Sequence, residues 1–211
     1  MLPTSQLLKE ASATQHREAE SSSFVSDLMK GELSLADYTR YLANLAWVYE
    51  ALEEQTLNGD AFPSSEALWD ERLLRLSSIE ADLRALGVKD WRNEYPASPA
   101  VQNYCSTLRR LDGRADYRLI AHHYTRYLGD LSGGQAISAL VARHYGATPE
   151  QLTFCAFTDI ENLVRYKENY RALLDGLDLT EDQRKELVVE VQQAFELNKE
   201  LFSDLGQSVQ V

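Results

Sequence analysis

Apolar residues along this chain recur at a spacing close to 3.6, and strict alternation of period two is scarce. The pattern predicts helices throughout and places the chain in the all-α class. The first helix is expected from about Ser5 to Ser21. Ser34, with Asp37 three residues on, opens the second through a capping box, and its apolar stripe is Tyr38, Leu42, Leu45, Tyr49 and Leu52. A third is expected over about Glu66 to Leu86, carried by Leu73, Leu76, Ile79 and Leu83 and stopped at Gly87. Ser98 and Pro99 are an N-cap and first-turn proline for a fourth that ends near Gly113. A long fifth helix follows from about Asp116 to Tyr145, stopped by Gly146. Thr148, Pro149 and Gln151 make a further start signal ahead of a helix near Asp159 to Asp175. Thr180 and Gln183 cap the last, whose stripe is Leu187, Val191, Phe195, Asn198, Phe202 and Leu205. All five prolines separate or start these stretches, and so do Gly31, Gly59, Gly87, Gly113, Gly146, Gly176 and Gly206. Short loops, with no repeat or linker, predict that residues 1–211 pack as one multi-helix domain.

Charge narrows the partners. Among 211 residues there are 33 acids and 21 bases, a net charge of −12. Such a chain has no bulk attraction for nucleic acid or anionic lipid, and an anionic ligand would need a local basic site. Cys105 and Cys155 form no CxxC pair and no disulfide framework, which predicts reduced thiols and a cytoplasmic protein. The N-terminus lacks the basic and apolar regions of a signal peptide, and no apolar run is long enough to insert in a membrane. A monomer is the plain expectation.

Three glycines break the pattern. Gly129, Gly133 and Gly134 lie inside the long fifth helix, where each costs roughly 1 kcal/mol against alanine. Either another helix approaches closely there, or a flat ligand lies against the bare backbone and the segment kinks to fit it. Arg126, Tyr127 and Asp130 crowd the same segment, and polar groups beside exposed backbone favour a lined cavity. The plainer reading of Asp130 is a surface carboxylate paired with Arg126 at i, i+4.

Metal chemistry is constrained by what the four histidines lack. Glu-x-x-His pairs, HExxH and paired CxxC are all absent, and a single axial imidazole on a haem iron is one reading still open. His16 is the candidate by position, with Glu20 one turn on to accept its other ring proton. Lys9 lies two turns before it, about 10 Å along the axis. An exposed helical histidine paired with Glu20 fits the spacing as well. Lys167 and Arg171, at i, i+4, form either a clamp for carboxylates or a solvated helix face. Asn198 interrupts an apolar stripe, so its amide is expected to be buried and hydrogen-bonded. His122, His123 and His144 are expected to be structural.

The run Ala121-His-His-Tyr-Thr-Arg-Tyr-Leu-Gly-Asp-Leu-Ser-Gly-Gly-Gln135 closely resembles the signature of the haem oxygenase family. Lys9-Glu-Ala with His16-Arg-Glu-Ala-Glu20 resembles that family's proximal helix. Segments 49–54, 166–171 and 195–202 match in order, and the lack of a C-terminal apolar tail resembles the soluble bacterial form. The resemblance implies a helical bundle that holds haem, both cofactor and substrate, between a proximal and a kinked distal helix. It implies reductive, dioxygen-dependent ring opening to biliverdin, carbon monoxide and ferrous iron, with electrons from an external reductase. His16 is then the iron ligand, oriented by Glu20. Gly129 and Gly133 lie over the distal face, and Gly134 adds flexibility. Lys9, Tyr124, Lys167 and Arg171 meet the propionates. Tyr49, Arg126, Tyr127, Asp130 and Asn198 hold distal waters, with Asp130 ordering the water that supplies a proton. One departure stands out: a second proximal-helix lysine of some members falls at Ala13 here.

Overall fold

The computed structural model describes residues 2–208, without the side chains of Glu20 and Ser208. Its helices run in the order α1 (Thr4–Ala11), α2 (Ala13–Glu20), α3 (Ser23–Lys30), α4 (Leu35–Thr56), α5 (Leu76–Ala85), α6 (Trp91–Glu94), α7 (Pro99–Arg109), α8 (Leu119–His123), α9 (Gly129–Tyr145), α10 (Leu163–Asp175) and α11 (Glu181–Ser208). A π-helical turn, Tyr124–Leu128, joins α8 to α9. No strand occurs among the described residues.

Two long helices form the frame. α4 packs on α5, α7, α8 and α9, while α11 crosses α1, α2, α3, α7 and α8. The capping box predicted for α4 is present: Asp37 N donates to Ser34 Oγ at 3.2 Å, and Ser34 N donates to Asp37 Oδ2 at 2.9 Å. Its predicted stripe is buried, and so are Ala43, Ala46, Val48 and Ala51 on its other faces. Alanines there let neighbouring helices come close, so α4 is a core rod with little exposed surface. Thr180 and Gln183 cap α11 reciprocally, at 3.2 and 2.9 Å.

The predicted first helix is two. Ser12 Oγ donates to Leu8 O at 2.7 Å, and this back-bonding accompanies a non-helical Ser12 between α1 and α2. Lys9 and His16 therefore sit on separate helices instead of one continuous face. The third helix is α only from Leu76; Glu66–Leu68 and Glu71–Leu73 are 3₁₀ turns. Asp70 interrupts it by accepting from Arg72 N at 3.0 Å. Thr148 caps only a 3₁₀ turn, Pro149–Gln151. The following helix starts late because Asn162 caps α10 at Arg165 N, 2.9 Å away.

The long fifth helix is also interrupted. Thr125 Oγ1 donates to Ala121 O at 2.8 Å, where the chain widens into the π turn. The break thus precedes the glycines and lies among bulky residues. Gly206 does not end a helix. It lies within α11, where an added Cβ would come 3.1 Å from Ser23 Oγ, so its small size lets α11 meet α3. Helices α3 and α6 have no counterpart in the sequence-based expectation; α6 is a single turn capped by Asp90.

Candidate active site

Four elements converge at the π turn. α4 brings Tyr49 and, one turn on, Glu53; the turn itself carries Arg126 and Tyr127; α9 opens with Gly129 and Asp130; α11 supplies Asn198. Arg126 is 6% exposed and makes contacts on three sides. Its Nη1 donates to Asn198 Oδ1 at 2.7 Å, its Nε to Tyr49 Oη at 3.4 Å, and its Nη2 lies 3.5 Å from Asp130 Oδ1. Its guanidinium also lies over the Tyr49 ring, 5.1 Å from the centroid. Tyr49 Oη is hydrogen-bonded to Asp130 Oδ2. Asn198 is buried as expected, and its amide donates to Ala194 O at 2.8 Å.

Burial pushes the Asp130 carboxyl well above the usual carboxylate range. A carboxyl that keeps its proton to higher pH, next to a phenol and an arginine, is equipped to pass protons. Tyr127 faces away from this cluster: its hydroxyl reaches Glu53 Oε1 at 3.4 Å. Glu53 is a buried acid that the sequence-based site did not include. Its Oε1 also accepts from Leu76 N at 2.9 Å and from Arg75 N, so it ties α4 to the start of α5. Its signal was positional, an acid one turn after Tyr49 on a buried face.

The glycines separate into two kinds. An added Cβ at Gly129 or Gly133 meets nothing within 4 Å among the described residues. Helix packing therefore does not explain them, and they leave open space beside the polar cluster. Gly134 is different: its Cβ would come 2.9 Å from Cys155 Sγ and 3.0 Å from Cys155 Cβ. Gly134 is a close-packing residue, where the resemblance gave it a flexible role. Gly134→Ala is expected to destabilise the fold by about 1–3 kcal/mol through overpacking. A thermal melt that matches wild type would contradict this.

The other residues singled out from sequence lie on the surrounding helices. His16, on α2, is exposed, with its ring edge-on to Phe195 at 5.6 Å between centroids. The Glu20 side chain, its expected partner, lies outside the described residues. Lys9 and Arg171 are exposed, on α1 and α10, and those two helices pack together. Lys167 Nζ is 3.5 Å from Ser132 Oγ, which links α10 to the glycine-bearing stretch of α9. Tyr124 is half-buried; burial holds its phenol pKa above the usual value, an effect that Arg171 offsets only in part. No cluster of histidine, cysteine and acid able to hold a metal ion occurs among the described residues.

His122 and His123 are core residues, as expected. His122 Nε2 meets Glu190 Oε1 at 2.9 Å, and His123 Nδ1 meets Tyr170 Oη at 2.7 Å. Burial pushes the His123 pKa down to about 3. Between that value and about 6.5, the unfolded chain binds a proton that the folded chain refuses. This group therefore removes stability as pH falls, by at most about 1.4 kcal/mol per pH unit. Glu53, Asp82 and Asp130, raised by burial, act in the opposite direction. Comparison with His123→Asn isolates the histidine. The gap in urea midpoint between wild type and variant should narrow from pH ~7 to ~4.5, and a constant gap would contradict the assignment.

The Heme oxygenase family model matches residues 2–204. A heme oxygenase of Porphyra purpurea is 34% identical over 203 residues, covering 96% of this chain and 86% of that one. Heme oxygenase 1 of Rattus norvegicus is 35% identical over 204 residues, 95% of this chain and 71% of that one. The crystal structure of heme oxygenase-1 from the cyanobacterium Synechocystis, in complex with heme, matches with a TM-score of 0.92 at 30% identity, covering 99% of this chain and 94% of that one. The heme oxygenase of Leptospira interrogans matches with a TM-score of 0.88 at 31% identity, covering 96% of this chain and 100% of that one. Sequence and fold agree along nearly the whole length, and this chain belongs to the haem oxygenase family of enzymes.

Proposed function

We propose that this haem oxygenase seats its substrate between α2 and α9, with His16 on the iron and the Asp130 cluster on the opposite face. One observation carries the distal side of this placement: Gly129 and Gly133 leave open space beside the Asp130–Tyr49–Arg126–Asn198 cluster, of which Tyr49, Arg126 and Asn198 are buried. A flat macrocycle fits against backbone that has no side chains, and the cluster's own hydrogen bonds hold its groups in place. Bound haem supplies the dioxygen-activating iron and the ring that is opened to biliverdin, carbon monoxide and ferrous iron.

The residues then divide the work. His16 offers a neutral imidazole, with Glu20 positioned one turn on to hold its second ring nitrogen. Lys9, Lys167 and Arg171, with Tyr124, meet the propionates and supply the local positive charge that a net −12 protein needs for a dianion. Ala13 offers no charge, so Lys9, on α1, has no second lysine at that position to share the propionates. Arg126 and Asn198 hold Tyr49 and Asp130 in place. Asp130 orders a water and moves a proton through it. Tyr127 supports the cluster from behind through its contact with the Tyr49 ring, 5.7 Å between centroids. Electrons come from an external reductase that docks on a monomer, and two buried free thiols, Cys105 and Cys155, suit a reducing cytoplasm.

The direct test is to titrate the purified protein with hemin and then add a reductant in air. The Soret band should form and then give way to biliverdin absorbance. A persistent Soret band would make the protein a haem carrier, and no Soret band would remove the site altogether. Gly129→Ala separates fold from function. Alanine should stabilise ligand-free α9 by up to about 1 kcal/mol, because nothing obstructs the new methyl group. It should also slow biliverdin formation, because the methyl group fills distal space. A higher melting temperature with wild-type turnover would show that this face is not the haem pocket.

A further inference from the structure

The geometry points to a second role for the residues behind the distal cluster: a ladder of aromatic rings, from Tyr49 through Tyr127 and His123 to Trp69, that leads oxidising equivalents away from the haem. The inference rests on the haem placement proposed above. Ring centroids are separated by 5.7 Å from Tyr49 to Tyr127, 4.5 Å from Tyr127 to His123 and 5.0 Å from His123 to Trp69. Tyr170 flanks the ladder, stacked on His123 at 5.7 Å with planes 5° apart. Tyr49, Tyr127, His123 and Tyr170 are all buried, whereas Trp69 is half-buried and brings the ladder to the surface.

Packing alone explains aromatic contact, but it does not explain how each phenol is paired. A buried phenol gives up an electron only if its proton has somewhere to go, since a buried cation is costly. Each phenol here touches a proton acceptor. Tyr49 meets Asp130, Tyr127 reaches Glu53 Oε1 at 3.4 Å, and Tyr170 reaches His123 Nδ1 at 2.7 Å. Burial keeps the imidazole neutral and able to accept. At the outer end, Trp69 Nε1 donates to Ser65 Oγ at 3.1 Å.

The electron count closes. A peroxide acting on ferric haem leaves two oxidising equivalents at the site. Tyr49 gives one electron to the haem and its phenolic proton to Asp130 in its carboxylate form, the acceptor of the Tyr49 hydroxyl. Tyr127 then gives one electron to Tyr49, which recovers its proton from Asp130, while the Tyr127 proton passes to Glu53. Trp69 gives one electron to Tyr127 across His123; the Glu53 proton returns to Tyr127, and the half-buried indole releases its proton to solvent. A small one-electron donor, such as a thiol or ascorbate, refills Trp69, and a second pass removes the second equivalent.

The test reacts the hemin-loaded protein with one equivalent of hydrogen peroxide and a nitroso spin trap, without reductant. Trapped adducts are mapped by peptide mass spectrometry. Wild type should carry the adduct on Trp69. Tyr127→Phe should lose the Trp69 adduct, retain a radical on Tyr49 and bleach its haem faster. Trp69→Phe should form biliverdin normally with a reductant in air, yet move the adduct inward to a tyrosine. An adduct on Trp69 that survives Tyr127→Phe, or haem-loaded wild type with no adduct on Trp69, overturns the ladder. Failure of the haem placement is recorded separately, as no Soret band before peroxide is added, and the ladder falls with it.

Discussion

Replacing Asp130 with alanine should leave haem binding intact and lower biliverdin formation by about a hundredfold or more, the range in which a positioned proton donor acts. Asp130 is not placed to act as an iron ligand in this scheme; its contacts are Tyr49 and Arg126. The loss should therefore appear in turnover, with hemin affinity and the ferric Soret position close to wild type. The substitution has a cost of its own, because it removes the acid beside a nearly buried guanidinium. Arg126 keeps Asn198 Oδ1 at 2.7 Å and the Tyr49 hydroxyl at 3.4 Å, which limits that cost. Asp130→Asn is the companion variant. It keeps the volume and an acceptor for Tyr49 but cannot carry the proton, so it should fold like wild type and still turn over slowly. Both variants should divert the bound oxidant from ring attack toward peroxidase-like oxidation of an added phenol. Wild-type biliverdin yield from Asp130→Ala would remove Asp130 from the proton path.

The sequence was most informative where one helix decides the geometry. The Ser34–Asp37 box, the Ser98–Pro99 start and the Thr180–Gln183 cap are local chemistry, and all are present in the structure. Arg126 and Asp130 are one turn apart in sequence and 3.5 Å apart in space. The breaks were less legible, because serine and threonine hydroxyls that bend helices look like ordinary helix residues in a one-dimensional pattern. Ser12 and Thr125 both donate to the carbonyl four residues back, and the chain departs from regular α geometry beside each. Partners drawn from different helices were legible only as types. Asn198 was expected to be buried and bonded, but its pairing with Arg126 depends on how α11 crosses the π turn. Gly134 shows the same limit: a glycine beside two others reads as part of one flexible run, yet Cys155, on a distant segment, sets its role.

His16→Ala should abolish biliverdin formation and shift the Soret band of the hemin complex, with little effect on the ligand-free fold. The stability expectation follows from exposure and helix propensity. His16 is exposed on α2, and alanine is the better helix former by a few tenths of a kcal/mol. Its loss removes an edge contact with Phe195, a half-buried ring at the margin of the core. The functional expectation follows from what remains. His122 and His123 are buried, held by Glu190 and Tyr170, and moving either onto haem iron would break a core hydrogen bond. The variant therefore has no ready imidazole of its own, and free imidazole added to its hemin complex should restore the wild-type Soret position. Rescue by imidazole separates loss of the ligand from damage to the pocket, since a collapsed pocket would not respond. An unchanged Soret band in His16→Ala would assign the iron to another group, with exposed His144 the histidine to replace next.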